Sequence, residues 1–186
     1  MQKTAAILLL IGSVLFLAAA FSPISRVFAE LNAAKKLEIL RNGRKAWEIA
    51  QVLFSLGALV VAAGLVIYFY PWQGVPRAAW ALSGVAALVV GACLWSWHCY
   101  LRGMDTQGFA EGALPAWHFA TYTLLTQLGL AALGFALLSS GLPQWVGWTL
   151  IGGSLFFLLA YLIFKDMPPF VYYLLTLLMG IMVLRG

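Results

Sequence analysis

Residues 41–70 read RNGRKAWEIAQVLFSLGALVVAAGLVIYFY, and this stretch decides the fold. Arg41, Arg44 and Lys45 stand ahead of an apolar run from Ala46 to Tyr70, with Asn42 and Gly43 between them as a stop signal for the helix before it. Such a run is long enough to cross the ~30 Å hydrocarbon core of a bilayer as a helix, and the basic residues before it mark a face that stays in the cytosol.

The same pattern recurs on both sides. Apolar runs cover residues 4–21, 78–101, 114–138 and 145–164, and a shorter one, 168–184, is about 25 Å long as a helix. Of the 186 residues 63% are hydrophobic and 9% charged, against roughly 25% charged in a soluble domain. So few charges cannot cover a water-facing surface. The predicted fold is all-α, a polytopic transmembrane bundle of about six spans, and the spans use up the chain, so residues 1–186 form a single transmembrane domain. Pro71, Pro76, Pro115, Pro143, Pro168 and Pro169 fall where helices start or stop. Trp47, Trp72, Trp80, Trp97, Trp117, Trp145 and Trp148 also sit near run ends, as rings at headgroup level do. The first run, ending in Leu17-Ala18-Ala19-Ala20, has the look of a secretory leader. Cleavage there would put the basic segment after it outside, against the charge rule, so it is read as a retained helix.

Six of the eleven Lys and Arg lie between Arg26 and Lys45, which speaks for membrane orientation and lipid contact, not nucleic acid. Ser22 and Pro23 read as the N-cap and first residue of an interfacial amphipathic helix over 23–43, with Leu31, Ala34, Leu37 and Leu40 on one side. Lys35, Lys36, Arg41, Arg44 and Lys45 are its expected contacts with lipid headgroups; a solvated cytoplasmic extension is the alternative. With the N-terminus outside, the inner side holds Arg26, Lys35, Lys36, Arg41, Arg44, Lys45, Arg102 and Lys165, and the outer side Lys3, Arg77 and Arg185. That bias predicts a multi-pass protein of the cytoplasmic (inner) membrane with both termini outside.

Internal similarity is faint. Leu56-Gly57 is echoed by Leu128-Gly129, and Gly74-Val75-Pro76-Arg77 by Gly141-Leu142-Pro143-Gln144. A duplication would be parallel, but the small alphabet of membrane helices makes chance the leading account.

Chemistry-bearing residues are few. Cys93 and Cys99 form no CxxC motif, and Cys93 reads as a small buried hydrophobe. His98 and His118 fall at similar depth near the inner surface, His98 on the stripe of Gly84, Ala87, Gly91 and Leu94 or Trp95 that should face the bundle. The pair could ligate haem, hold a metal with Cys99, Asp105 or Glu111, or relay protons; plain interhelical contact is the leading alternative. Both lie near one edge, which weighs against haem more than against a surface metal site. Thr121, Tyr122, Thr126 and Gln127 form a polar stripe that lines either a cavity or a helix contact. Asp105, Glu111 and Asp166 lie in predicted inner loops and, with Glu48 only at the entry of the 46–70 run, no acid lies at the middle of a span, contrary to the usual build of a cation-coupled transporter. Hydrolase and nucleotide-binding motifs are missing.

The helix entries Arg44-Lys45-Ala46-Trp47-Glu48-Ile49 and Leu142-Pro143-Gln144-Trp145-Val146-Gly147-Trp148, with the closing Lys165-Asp166-Met167-Pro168-Pro169-Phe170-Val171-Tyr172-Tyr173, resemble uncharacterised six-helix bacterial integral membrane proteins grouped as domains of unknown function. The resemblance implies the fold and carries no activity. The expectation for function is a non-enzymatic accessory, assembly or scaffold component without a cofactor, in contact with membrane lipid and with other membrane subunits or copies of itself. Two alternatives stand beside it: a haem- or metal-binding redox protein using His98 and His118, and a small-molecule transporter or receptor using the polar stripe.

Overall fold

Backbone groups in hydrocarbon have no water to bond to, so each apolar run satisfies its own amides by folding as a helix. The computed structural model describes residues 1–72, 74, 77–164 and 168–185. It comprises helices α1 (Gln2–Ala20), α2 (Ala33–Asn42), α3 (Arg44–Phe69), α4 (Ala78–Met104), α5 (Thr106–Glu111), α6 (Ala116–Leu137), α7 (Gln144–Phe164) and α8 (Phe170–Arg185), with 3-10 turns at Pro23–Phe28 and Tyr70–Trp72. No strand occurs among the described residues. Five helices, α1, α3, α4, α6 and α7, are long and apolar enough to cross a membrane; α8 has 16 residues and is shorter. The expectation of an all-helical chain with several helices able to cross a membrane is met.

The spans pack in the order they occur along the chain. α1 lies against α3, α3 against α4, α4 against α6 and α6 against α7, while α8 returns to α1 and touches α7 only weakly. The closest approaches are made at glycines. A Cβ on Gly57 would stand 2.8 Å from the Gly12 carbonyl oxygen, one on Gly84 2.8 Å from that of Gly129, and one on Gly134 2.7 Å from that of Gly147. Without a hydrophobic force to join helices inside lipid, such backbone-to-backbone contact is how van der Waals attraction accumulates. The faint repeat acquires a counterpart here: Gly57 notches α3 into α1 as Gly129 notches α6 into α4, and the partner glycines, 12 and 84, precede them by the same stretch of chain.

Several expectations need correction. Residues 23–43 are not one helix. Pro23 opens a 3-10 turn that buries Ile24 and Val27, and Ser22 Oγ donates back to the Ala19 carbonyl instead of capping the turn after it. The helix proper begins at Ala33, capped by Asn32, whose side chain accepts from Lys35 N at 3.1 Å. The break sends Leu31 out at 95% exposure, so only Leu37 and Leu40 of the apolar side are covered. Cys93 is exposed, because its face of α4 looks away from α3 and α6. Trp47 is fully buried and its indole is engaged inside the protein, whereas Trp80, Trp97, Trp117, Trp145 and Trp148 are exposed as interfacial rings would be. The connection after α4 is not plain loop but contains the short helix α5, capped by Asp105. The readings that involve Val75, Pro76, Lys165, Asp166 and Met167 lie outside the described residues.

Candidate functional site: an arginine in an aromatic cleft

At the end of the bundle that carries the basic segment, the last turns of α4 place Trp95, Cys99 and Arg102 on one inward face, since steps of four and three return to the same side of a helix. α3 contributes Trp47 and Phe54 two turns apart, the 3-10 turn contributes Phe28, and α5 contributes Phe109. These rings converge on the Arg102 guanidinium. Its carbon lies 4.7 Å from the Trp95 ring centroid, 5.4 Å from Phe28, and between 5.8 and 5.9 Å from Phe54, Phe109 and Trp47. Trp47 Nε1–H fastens the cage by donating to the Arg102 carbonyl at 3.0 Å.

Arg102 is 4% exposed, and its side chain is a cation with five N–H donors and no acceptor. Nη2 donates to Cys99 Sγ at 3.2 Å, a weak acceptor, and Nε has no hydrogen-bond partner. Among the described residues the ion pair present is Arg44–Glu48 on the surface; no carboxylate pairs with Arg102. The nearest acid along the chain is engaged elsewhere, Asp105 accepting from Gly108 N at 2.7 Å. Beside the cation lies a partly open cleft of about 460 Å³. Phe28, Phe54, Trp95, Phe119 and Phe170 wall it, Ala20 and Ala29 leave it room, and Arg102 lines it.

His98 and His118 do come together, with ring centroids 6.1 Å apart. Both are buried, both have Nδ1 without a hydrogen-bond partner, and Trp117 packs on His118 at 3.9 Å. The acids and thiol considered as co-ligands are otherwise engaged: Cys99 with Arg102, Asp105 at its cap, Glu111 with Gln107 at 2.9 Å. No group of three or more His, Cys, Asp and Glu that could share a metal occurs among the described residues.

The polar stripe divides. Tyr122 and Thr126 line a small internal cavity of about 20 Å³ with Tyr172, Tyr173 and Thr176, room for one water molecule. Tyr122 donates to the Tyr173 hydroxyl at 3.2 Å. Gln127 is buried on another face with its amide unpartnered, and Thr121 is half-buried outside the cavity. Trp95 of the arginine cleft stacks on Tyr122 of this cavity at 4.6 Å, and Phe16 stacks on Tyr173 at 3.6 Å. Of the expected headgroup contacts, Lys35, Arg41 and Lys45 are exposed, Arg44 is paired with Glu48, and Lys36 lies over the Phe109 ring at 5.4 Å.

In the sequence Arg102 stands out only as an inner charge. Its spacing from Trp95 on the inward stripe is the one local signal of its role; the converging rings from α3, α5 and the turn are visible only in three dimensions. No family model, no curated protein and no solved structure matches this chain.

Proposed function

We propose that this chain is a non-enzymatic accessory or scaffold component of the cytoplasmic membrane, both termini outside, that holds an amphiphilic ligand in the cleft beside Arg102. The orientation rests on the eight-to-three division of basic residues between the two sides. The observation that carries the binding reading is the cleft itself: its volume falls within the ~300–1,000 Å³ of small-molecule sites, and its walls are aromatic around one charged group. Filling it tests the reading. The delipidated protein should be thermally stabilised by added amphiphile, and Ala20→Trp, which narrows the cleft without removing a bond, should abolish the effect while the variant still elutes as a folded species. Equal stabilisation of wild type and variant would count against a ligand in the cleft.

A second reading is favoured by the proximity of His98 and His118. Two buried imidazoles this close, each with an unpartnered nitrogen, are the start of a metal or haem site. It requires a Soret band or stoichiometric metal in the purified protein that disappears in His118→Ala; a colourless, metal-free preparation ends it.

A further inference from the structure

We propose that the occupant of the cleft is an acidic membrane lipid, and that Arg102 reads its negative charge; this rests on the binding reading above.

Burying a cation is unfavourable unless opposite charge and hydrogen bonds accompany it. The cage around Arg102 supplies one part of that compensation: stacked faces, Trp95 nearest at 4.7 Å, attract the cation through their quadrupoles. Ring faces do not answer the guanidinium's in-plane N–H donors, however, and there are five of these. The structure shows one such bond, to the Cys99 sulfur, and leaves Nε unpartnered, with no carboxylate paired among the described residues. Arg102 lines the cleft, and the planar fork of N–H donors on a guanidinium is the group by which arginine binds phosphate or carboxylate oxygens.

The walls define the rest of the occupant. Phe28, Phe54, Phe119 and Phe170 offer no hydrogen bond, so the part of it that accompanies the anionic group is apolar. A volume of about 460 Å³ admits a headgroup and the start of a chain, the remainder staying in the bilayer. Position points to the source. Ser25, Phe28 and Ala29 line the cleft from within the segment that leads into the basic helix α2, where Lys35 and Arg41 are exposed. Basic residues near a membrane surface attract acidic lipid, so the cleft sits where the surrounding leaflet is enriched in its occupant.

The test uses the full chain in bilayers of equal phosphatidylcholine and phosphatidylglycerol, released into the gas phase for native mass spectrometry. Phosphatidylcholine carries the same phosphate neutralised by its own ammonium, so the comparison isolates net charge. Wild type should retain one phosphatidylglycerol per chain with a preference of roughly tenfold, which corresponds to about 1.4 kcal/mol. Arg102→Gln should fall to parity while still carrying a lipid, and Arg102→Lys, which keeps charge but loses the fork, should fall between. Excess inorganic phosphate should not displace the lipid; displacement would mean that a free anion is the ligand. Equal retention of both lipids by wild type, or an undiminished preference in a folded Arg102→Gln, overturns this inference and leaves the binding reading standing. Retention of neither lipid overturns both.

Discussion

Adding one methyl group at Gly57 should destabilise the bundle by an amount that the packing of α1 on α3 sets. A Cβ there would stand 2.8 Å from the Gly12 carbonyl oxygen and 2.8 Å from Phe16 N, both backbone atoms that no rotamer change can move aside. Restoring contact to 3.4 Å requires α1 and α3 to part by about 0.6 Å, and a gap of that size forfeits a quarter or more of the attraction along the seam. Overpacking of this kind costs about 1–3 kcal/mol, offset by up to ~1 kcal/mol from the better helix propensity of alanine. Gly152 on α7 supplies the control, since a Cβ there meets nothing within 4 Å and only the propensity gain applies. The two Gly→Ala variants should therefore differ by about 2 kcal/mol, or roughly 4–8 °C in melting temperature for a chain of this size. Intrinsic fluorescence during heating in one mild detergent reads both. If Gly57→Ala melts at or above Gly152→Ala, the close approach of α1 and α3 is wrong, and with it the placement of Phe16 against Phe54 and Tyr173.

Other perturbations probe separate features. Ser13 and Thr176 share a buried bond of 2.9 Å between α1 and α8; Thr176 also donates to the Tyr173 carbonyl at 3.2 Å, so Ser13 supplies the proton. Ser13→Ala should cost about 0.6–1 kcal/mol, and a double-mutant cycle with Thr176→Val should show coupling of that size by thermal unfolding. Trp47→Phe removes the donor to the Arg102 carbonyl while keeping an aromatic ring in the cage, a loss of about 1 kcal/mol measurable in the same assay. Gly112, at φ +72 with open space around it, ends α5; Gly112→Ala should cost about 1 kcal/mol through backbone conformation alone, and Gly112→Asn less. A cost for Gly112→Ala indistinguishable from zero would show that the turn does not hold the left-handed conformation.

Sequence alone determined the medium and the elements. Long, mainly apolar runs such as 46–70 and prolines at helix ends are local signals, and a helix in hydrocarbon satisfies its backbone within itself, so each span could be read without knowing its neighbours. The meeting of His98 and His118 was partly legible for a related reason: two residues equally far from the middle of the connection between neighbouring antiparallel helices end at one depth. Tertiary structure decided which face of each span looks inward, because lipid is as apolar as a protein core and leaves no periodic contrast to read. Leu31 and Leu40 share an apolar stripe in the sequence yet end 95% exposed and fully buried, since the chain breaks between the 3-10 turn and α2 to bring Phe28 into the cluster. The arginine cleft belongs to the same class of fact. Its cation and nearest ring come from α4 and its other rings from α3, α6, α8 and a turn, and no local pattern foretells that elements so far apart in the chain will enclose one charge.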